Sequence, residues 1–162
     1  MNRASARVRT GSTNRNCYFV NHYNLQMASV GYSGTPLIDK LGIKPGMKLL
    51  LINQPGDYYS MLETNVEDQV CRKNETPDLV HLFVKNVKEF ETAMKKLKPA
   101  SKKNTAITIW VSWYKKSAKI ATDVTEDVIR NYALQNDLVD VKVCAVSDVW
   151  SGLKLVVPLN KR

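Results

Sequence analysis

Histidine and cysteine are scarce in this chain of 162 residues, and their scarcity excludes several kinds of site. The two histidines are isolated, and Cys17, Cys71 and Cys144 are too far apart in sequence to form a Cys-x-x-Cys motif. A zinc site is therefore not expected, and three separated thiols are typical of a reducing compartment. No apolar run is longer than a strand, which excludes a transmembrane helix. We expect a cytoplasmic protein with no metal and no membrane partner.

Motifs of the common catalytic classes are also missing. The chain has no Gly-x-Ser-x-Gly elbow, no glycine-rich phosphate loop with a lysine, and no histidine beside an obvious nucleophile. Asp57 and Asp148 could work as acid and base only if folding brought them together, which their spacing does not show. We therefore expect no catalytic residues, and enzymatic activity is the less favoured interpretation.

Acidic residues are absent from the first part of the chain. The net charge is +9, and residues 1–26 contain four arginines and no acid. The other 20 basic and 15 acidic residues leave only +5, a weak indication of nucleic-acid binding. We expect residues 1–26 to be a disordered leader or sequence upstream of a natural start at Met27. Residues 27–162 are expected to form a single α/β domain.

The best-defined local pattern lies between Gly31 and Gly56. Thr35 and Pro36 suit the start of a short helix, and Gly42 suits the left-handed residue that ends one. Pro45-Gly46 then predicts a turn into residues 49–52, which are wholly apolar. Such a strand is typical of the buried centre of a parallel sheet.

Strands and helices alternate along the rest of the chain. Asn86 and Thr125 suit helix N-caps, and Pro99 is expected to end the helix that Asn86 begins. We predict helices at 58–63, 87–98 and from 126, and strands at 66–71, 79–84, 106–113, 139–146 and 153–157. This order predicts a mostly parallel, Rossmann-like α/β sheet that ends in an antiparallel hairpin around the loop 148–152.

Several longer motifs resemble a family of small, mostly bacterial proteins of unknown function. They are GYSGTPL (31–37), KLGIKPG (40–46), a tryptophan-lysine stretch (110–116) and WSGLKLVV (150–157). The tryptophan-lysine stretch carries Tyr114 where that family is expected to carry proline. The resemblance covers nearly everything after Met27 and implies no particular activity.

A more distant resemblance is to the core of class I S-adenosylmethionine-dependent methyltransferases. Those enzymes often enter their first strand through a similar Pro-Gly turn and finish with a helix and an antiparallel hairpin. The resemblance implies a methyltransferase-like sheet and makes S-adenosylmethionine the candidate cofactor. The chain departs from it at residues 53–57, where one glycine and Pro55 replace the glycine-rich loop that approaches the cofactor. An acidic residue for the ribose is also not evident, so cofactor binding is not favoured.

The candidate binding residues follow the carboxyl ends of the predicted strands, where open α/β sheets bind ligands. They are Asn53, Gln54, Asp57, Trp113, Lys115, Lys116, Asp148 and Trp150. Lysine and tryptophan together could bind an anionic or planar ligand. The alternative is that both tryptophans cover the end of the sheet and the lysines point into solvent. We expect Asp57, Lys115 and Trp150 to line one cleft, with the lysine cluster at 95–103 on the opposite edge.

Three functions follow from these patterns. The favoured one is a non-catalytic or degenerate methyltransferase-like domain that binds a small anionic ligand or a protein partner. The second is an active methyltransferase with an atypical cofactor loop. The third is a nucleic-acid-binding protein that uses the lysine cluster Lys95, Lys96, Lys98, Lys102 and Lys103. It ranks last because no aromatic residue is interleaved with those lysines.

Overall fold

The computed structural model describes residues 34–162, so the predicted leader at 1–26 and the boundary at Met27 lie outside the described part of the chain. Within this part the four α-helices are α1 (Leu37–Leu41), α2 (Tyr58–Leu62), α3 (Val87–Lys103) and α4 (Glu126–Gln135). The strands are β1 (Leu49–Ile52), β2 (Leu79–Phe83), β3 (Thr108–Tyr114), β4 (Val139–Ala145) and β5 (Trp150–Val156).

The strands form one mixed sheet in the order β1-β2-β3-β5-β4. The first three are parallel, and β5 pairs antiparallel with both β3 and β4. The predicted α/β sheet with a C-terminal antiparallel hairpin is confirmed at this level. Because β5 runs against its neighbours, the ends of β1 to β4 and the start of β5 lie at one edge, which we call the carboxyl edge.

Helices cover both faces of the sheet. Side chains of successive strand residues point to opposite sides, so both faces carry apolar side chains that the helices bury. On the α3 face, α3 and α4 pack against a core that includes Val80, Leu82 and Val111. On the α1 face, the shorter α1 and α2 enclose Phe83 and Trp110. The result is a three-layer arrangement with the sheet in the middle.

The strand predicted at 66–71 is wrong. Its place is taken by a 3-10 helix (Glu67–Gln69) and one isolated bridge between Leu49 and Val70. The Asn65 side chain accepts a hydrogen bond of 2.9 Å from the Glu67 amide, a local bond that favours a turn over a strand. Glu67 and Asp68 are exposed, so this segment gains nothing by entering the sheet.

The last strand begins earlier than predicted, at Trp150 instead of Leu153. Gly152, which suggested a loop, pairs with Ser112 inside the sheet. A Cβ atom at this position would lie 2.9 Å from Val146 Cγ2 and 3.4 Å from Ser112 Oγ. Glycine is therefore needed here for close packing and not for a turn.

The helix ends agree only in part with the sequence patterns. Asn86 and Thr125 accept hydrogen bonds from the amides of Glu89 (2.9 Å) and Val128, as predicted for N-caps. Gly42 is left-handed at φ 76°, also as predicted. The predicted start of α1 at Thr35 is wrong, because Pro36 occupies the N-cap position and makes no side-chain cap.

Helix α3 continues through Pro99 to Lys103, so the prediction that Pro99 ends it is wrong. Proline removes one helical amide and crowds the carbonyl four residues earlier, a cost that packing of the apolar stripe offsets. Phe90, Met94 and Leu97 are buried in that stripe, whereas Pro99 is exposed.

Replacing Pro99 by alanine is expected to raise the free energy of unfolding by about 1–2 kcal/mol. Alanine restores a donor for the Lys95 carbonyl and has the highest helix propensity. Urea denaturation would measure the change, with the exposed neighbour Lys98→Ala as a control expected to stay within about 0.5 kcal/mol. A loss of stability in Pro99→Ala would show that this proline is adapted to its place in the helix.

Candidate functional site

The carboxyl edge brings together the loops that follow β1, β2 and β3 and the loop of the β4–β5 hairpin. Lys115, after β3, donates its amide to the Val149 carbonyl at 2.8 Å, and Tyr114 pairs with Trp150. The prediction that the hairpin loop returns to the same edge as the Lys115 loop is therefore confirmed, although Trp150 lies at the start of β5 and not in that loop. Helix α3 runs away from this edge. Asn104, the residue that follows α3, donates its side-chain amide to the carbonyl of Pro77, which precedes β2 in the chain. The lysine cluster therefore lies toward the opposite edge, as predicted.

The amino end of α3, at the end of β2, is closed by the chain's own side chains. Asp123 accepts a hydrogen bond of 2.8 Å from the Val87 amide, and Asn86 accepts one from Glu89. The Glu89 carboxylate in turn accepts from the Lys85 amide at 3.0 Å. In open α/β sheets, free amides at such a helix start commonly hold an anionic cofactor group. Here the amides of Val87 and Glu89 already have partners.

The loop after β1 is exposed and differs from a glycine-rich cofactor loop. Asn53 adopts a positive φ of 54°, a conformation that asparagine tolerates better than most residues. Its side chain reaches the Phe83 carbonyl at 3.4 Å. Gln54 and Asp57 are also exposed, and Asp57 occupies the N-cap position of α2 without a side-chain cap.

The two candidate tryptophans lie on opposite faces of the sheet. Trp113 is buried in the core of the α3 face, and Trp150 in the core of the α1 face, each with 7% of its surface exposed. Trp150 stacks on Tyr114 with ring centroids 4.2 Å apart and meets the edge of Phe83. The two rings therefore do not form one ligand surface, and both cover the sheet as in the alternative interpretation.

The candidate lysines differ in their surroundings. Lys116 is exposed, whereas Lys115 is half-buried. Burial raises the pKa of the Cys144 thiol, and the charges of Lys142, Lys40 and Lys115 oppose that shift. Lys115 and Lys40 thus lie near the side chain of Cys144. Cys144 pairs with Gly152 in the sheet, and its side chain packs against the core of the α1 face.

An open cleft of about 270 Å³ lies between α1, α2 and the hairpin loop. Its charged and hydroxyl side chains are Thr35, Lys40, Ser60, Glu63, Ser147 and Asp148. Of the eight candidate residues, only Asp148 is among those that line it, and Trp150 is buried in the adjoining core. The polar residues of α1 and α2 were missed because those five-residue helices are too short to show a periodic pattern. The sequence signal that could have found them is the GTPL run that enters the cleft.

A chain of buried polar side chains resembles a catalytic arrangement but is closed to solvent. His81 Nδ1 lies 3.0 Å from the Tyr58 hydroxyl, and His81 Nε2 lies 2.8 Å from Ser112 Oγ. Burial lowers the pKa of His81 to about 3, so the imidazole is neutral at physiological pH. Neither His81 nor Ser112 has exposed surface, so this chain stabilises the core and cannot reach a substrate.

Two further observations concern residues 34–162 alone. No group of three or more histidine, cysteine, aspartate or glutamate side chains in this range could hold a metal ion. None of the helices in this range combines the length and the apolar character that crossing a bilayer requires.

Comparison with known proteins gives little beyond this geometry. No protein-family model and no curated protein matches the chain. A similar solved structure is that of a protein in the NADB-Rossmann superfamily from Streptococcus agalactiae, with 12% sequence identity and a TM-score of 0.43. The match covers 79% of this chain and 70% of that one. This likeness is too distant to bear on function, and the predicted family memberships stay predictions.

Proposed function

We propose that this chain is a non-catalytic, methyltransferase-like domain that binds a small anionic ligand in the cleft between α1, α2 and the hairpin loop. The observation that carries the proposal is a contrast at one edge of the sheet. The Val87 and Glu89 amides at the start of α3 are already bonded to Asp123 and Asn86, whereas the neighbouring cleft is open.

The absence of a catalytic role is supported by the position of the reactive groups. The only histidine in the described part of the chain, His81, is fully buried between two hydroxyls. Burial also raises the pKa of both Cys71 and Cys144, which leaves these thiols protonated and poorly nucleophilic near neutral pH. Neither an imidazole base nor a thiolate nucleophile is therefore available in the cleft from the described residues.

The size and charge of the cleft favour a particular kind of ligand. Lys40 is the one cation among the described residues that line the cleft, and it can attract an anionic group. Glu63 and Asp148 can accept hydrogen bonds from hydroxyl or amino groups of the same ligand. Clefts for drug-sized ligands usually measure about 300–1,000 Å³, so this smaller cleft suits a molecule the size of an amino acid or a hydroxy acid.

A thermal-shift screen of free amino acids, small hydroxy acids, inorganic phosphate, NAD and S-adenosylmethionine tests this proposal. We expect a small anionic compound to raise the melting temperature by mass action, and S-adenosylmethionine to give no heat in a calorimetric titration. Lys40→Ala should remove the shift. Lys44→Ala, an exposed lysine in the following turn, should preserve it.

Three results would contradict the proposal. If no anionic compound shifts the melting temperature, or if Lys40→Ala leaves the shift intact, the cleft is not the site. Micromolar binding of S-adenosylmethionine that is lost in Asp57→Ala would instead support the active methyltransferase. Nucleic-acid binding is tested separately by a gel shift, because the lysine cluster of α3 lies away from the cleft.

A further inference from the structure

The outer part of the β4–β5 hairpin is uncovered on the α1 face. Helices α1 and α2 have five residues each, whereas α3 and α4 on the other face have 17 and 10. The short helices leave a hollow of about 650 Å³ over this end of the hairpin, which we call the β4–β5 hollow. It is separate from the cleft, so a role for the hollow does not depend on the proposed ligand.

Apolar side chains form the floor of this hollow. Val139 pairs with Val156 across the two strands, and both line it. Val141 and Leu159 also line it and are 58% and 80% exposed. Single exposed apolar residues are ordinary, but a contiguous group with a polar rim marks an interaction surface.

The rim is basic and lacks acidic residues. Lys154 and Arg162 line the hollow, and no aspartate or glutamate of the described chain does. Lys142 lies opposite Lys154 in the sheet but is not among the lining residues, and its Nζ donates to the Lys40 carbonyl at 3.3 Å. Within residues 34–162, neither Lys154 nor Arg162 lies within ion-pairing distance of a carboxylate.

The nearest acid on the same strand is turned away from the hollow. The pairing of β4 with β5 shifts between Asp140 and Lys142, so Asp140 lies opposite Leu155 on the α3 face. There it forms a salt bridge of 3.1 Å with Arg130. The extra residue in β4 therefore separates an acid from a lysine that would otherwise share its face.

Charge excludes two occupants that the chain itself could supply. The sequence before Gly34 contains no aspartate or glutamate, so it has no carboxylate to place against these cations. A second copy would bring a chain of net charge +9 against the same basic surface. A membrane surface fits poorly, because membrane-binding faces are enriched in aromatic side chains, and none of the described residues that line the hollow is aromatic.

We propose that the β4–β5 hollow is a docking surface for an acidic, apolar segment of a partner protein. Carboxylates of that segment lie against Lys154 and Arg162, the two cations that line the hollow. Its apolar side chains cover Val139, Val141 and Val156. Charge complementarity of this kind sets the choice of partner, and burial of the floor supplies affinity.

Fluorescence anisotropy with two labelled synthetic peptides tests the proposal on the full chain. One peptide is an amphipathic sequence of leucine and glutamate, and the other has lysine in place of glutamate. We expect the acidic peptide alone to bind, and its affinity to fall as salt is added. The double variant Lys154→Glu with Arg162→Glu is expected to weaken binding at least about tenfold.

A matched control separates this surface from the general basic charge of the protein. The double variant Lys88→Glu with Lys96→Glu changes the net charge equally, at exposed positions of α3 on the other face. It should retain binding of the acidic peptide. Equal loss in both double variants, or no binding of the acidic peptide at all, would overturn the proposal.

Two further results would assign the hollow to a different occupant. Binding to phosphatidylglycerol vesicles through Lys154 and Arg162, without binding of the peptide, would make the hollow a membrane contact. A dimer in sedimentation that Val141→Lys abolishes would make it a contact between copies of this chain. Either result would overturn the assignment to a partner protein.

Discussion

Acidification from about pH 7 to about pH 5 is expected to lower the free energy of unfolding by about 2 kcal/mol through His81 alone. Burial lowers the pKa of His81 to about 3 in the folded protein, whereas an unfolded histidine has its ordinary value of 6.5. Between these two values only the unfolded chain takes up the proton. The contribution of His81 to the free energy of unfolding is therefore fully present above about pH 6.5, and it decreases continuously as the pH falls toward about 3.

The surroundings of His81 explain why the folded protein resists this proton. The ring is enclosed between the hydroxyls of Tyr58 and Ser112. A neutral imidazole has one donor and one acceptor nitrogen, so one hydroxyl donates to the ring and the other accepts from it. A protonated ring would place a charge in the core of the α1 face with no carboxylate to pair it, and such burial is costly.

Urea denaturation of His81→Gln at the two pH values measures this contribution. Glutamine keeps a donor and an acceptor but does not titrate, so the variant should lose about 2 kcal/mol less than the unmodified protein on acidification. Ser112→Ala is the matched control, because it removes one partner and leaves the histidine. It should be less stable at both pH values and keep most of the pH dependence. An unchanged pH dependence in His81→Gln would show that His81 is not the titrating group.

The parts of the fold that the sequence predicts well are those with strong local patterns. The segment around β2 is largely apolar, and every residue of the strand is buried, as its position between β1 and β3 requires. The central position predicted for residues 49–52 is wrong, because β1 is an edge strand in which only Leu49 is buried. The N-caps Asn86 and Thr125 depend on hydrogen bonds within four residues, which a sequence also shows.

The errors come from residues whose state depends on distant partners. Pro99 stays helical because the stripe that includes Leu97 packs against the sheet, which the local sequence cannot show. Gly152 lies in a strand because Ser112 and Val146 approach it, although glycine in sequence more often indicates a turn. That shift also moves Trp150 from a loop into the core.

The candidate site residues lie toward one edge of the sheet, but only Asp148 is among those that line the cleft. Parallel strands end together, so Asp57, Lys115 and Asp148 could be assigned to one edge from topology alone. The face to which a side chain points depends on the register of its strand. Trp113 and Tyr114 are consecutive in β3, so their side chains point to opposite faces of the sheet. The cleft residues Lys40 and Glu63 lie on or beside short helices that tertiary contacts hold in place.

Substitution of Trp110 by alanine is expected to lower the free energy of unfolding by about 3–5 kcal/mol, the largest effect we expect from a single change. The side chain is the largest among those that are fully buried, and its indole N–H donates to the Leu41 carbonyl at 2.9 Å. It therefore fills the core of the α1 face and also anchors the end of α1 to the central strand. Alanine leaves a cavity and a carbonyl without its donor.

Trp110→Phe separates anchoring from packing, because it keeps most of the ring and removes the donor. We expect it to cost about 1–3 kcal/mol and to speed hydrogen exchange at the amides of Gly42 and Ile43, which donate to the Ile38 carbonyl at the end of α1. Trp113→Phe is the matched control, since that ring is buried on the α3 face. It should lower stability without a selective change in α1.

Loosening of α1 has a further consequence at the cleft. Lys40 lies on α1, so Trp110→Phe should also weaken any small ligand that binds there, whereas Trp113→Phe should not. Equal exchange rates for Gly42 and Ile43 in the two variants would contradict the anchoring role of Trp110. Weakened binding in Trp113→Phe alone would show that the ligand depends on the α3 face and that the cleft is not its site.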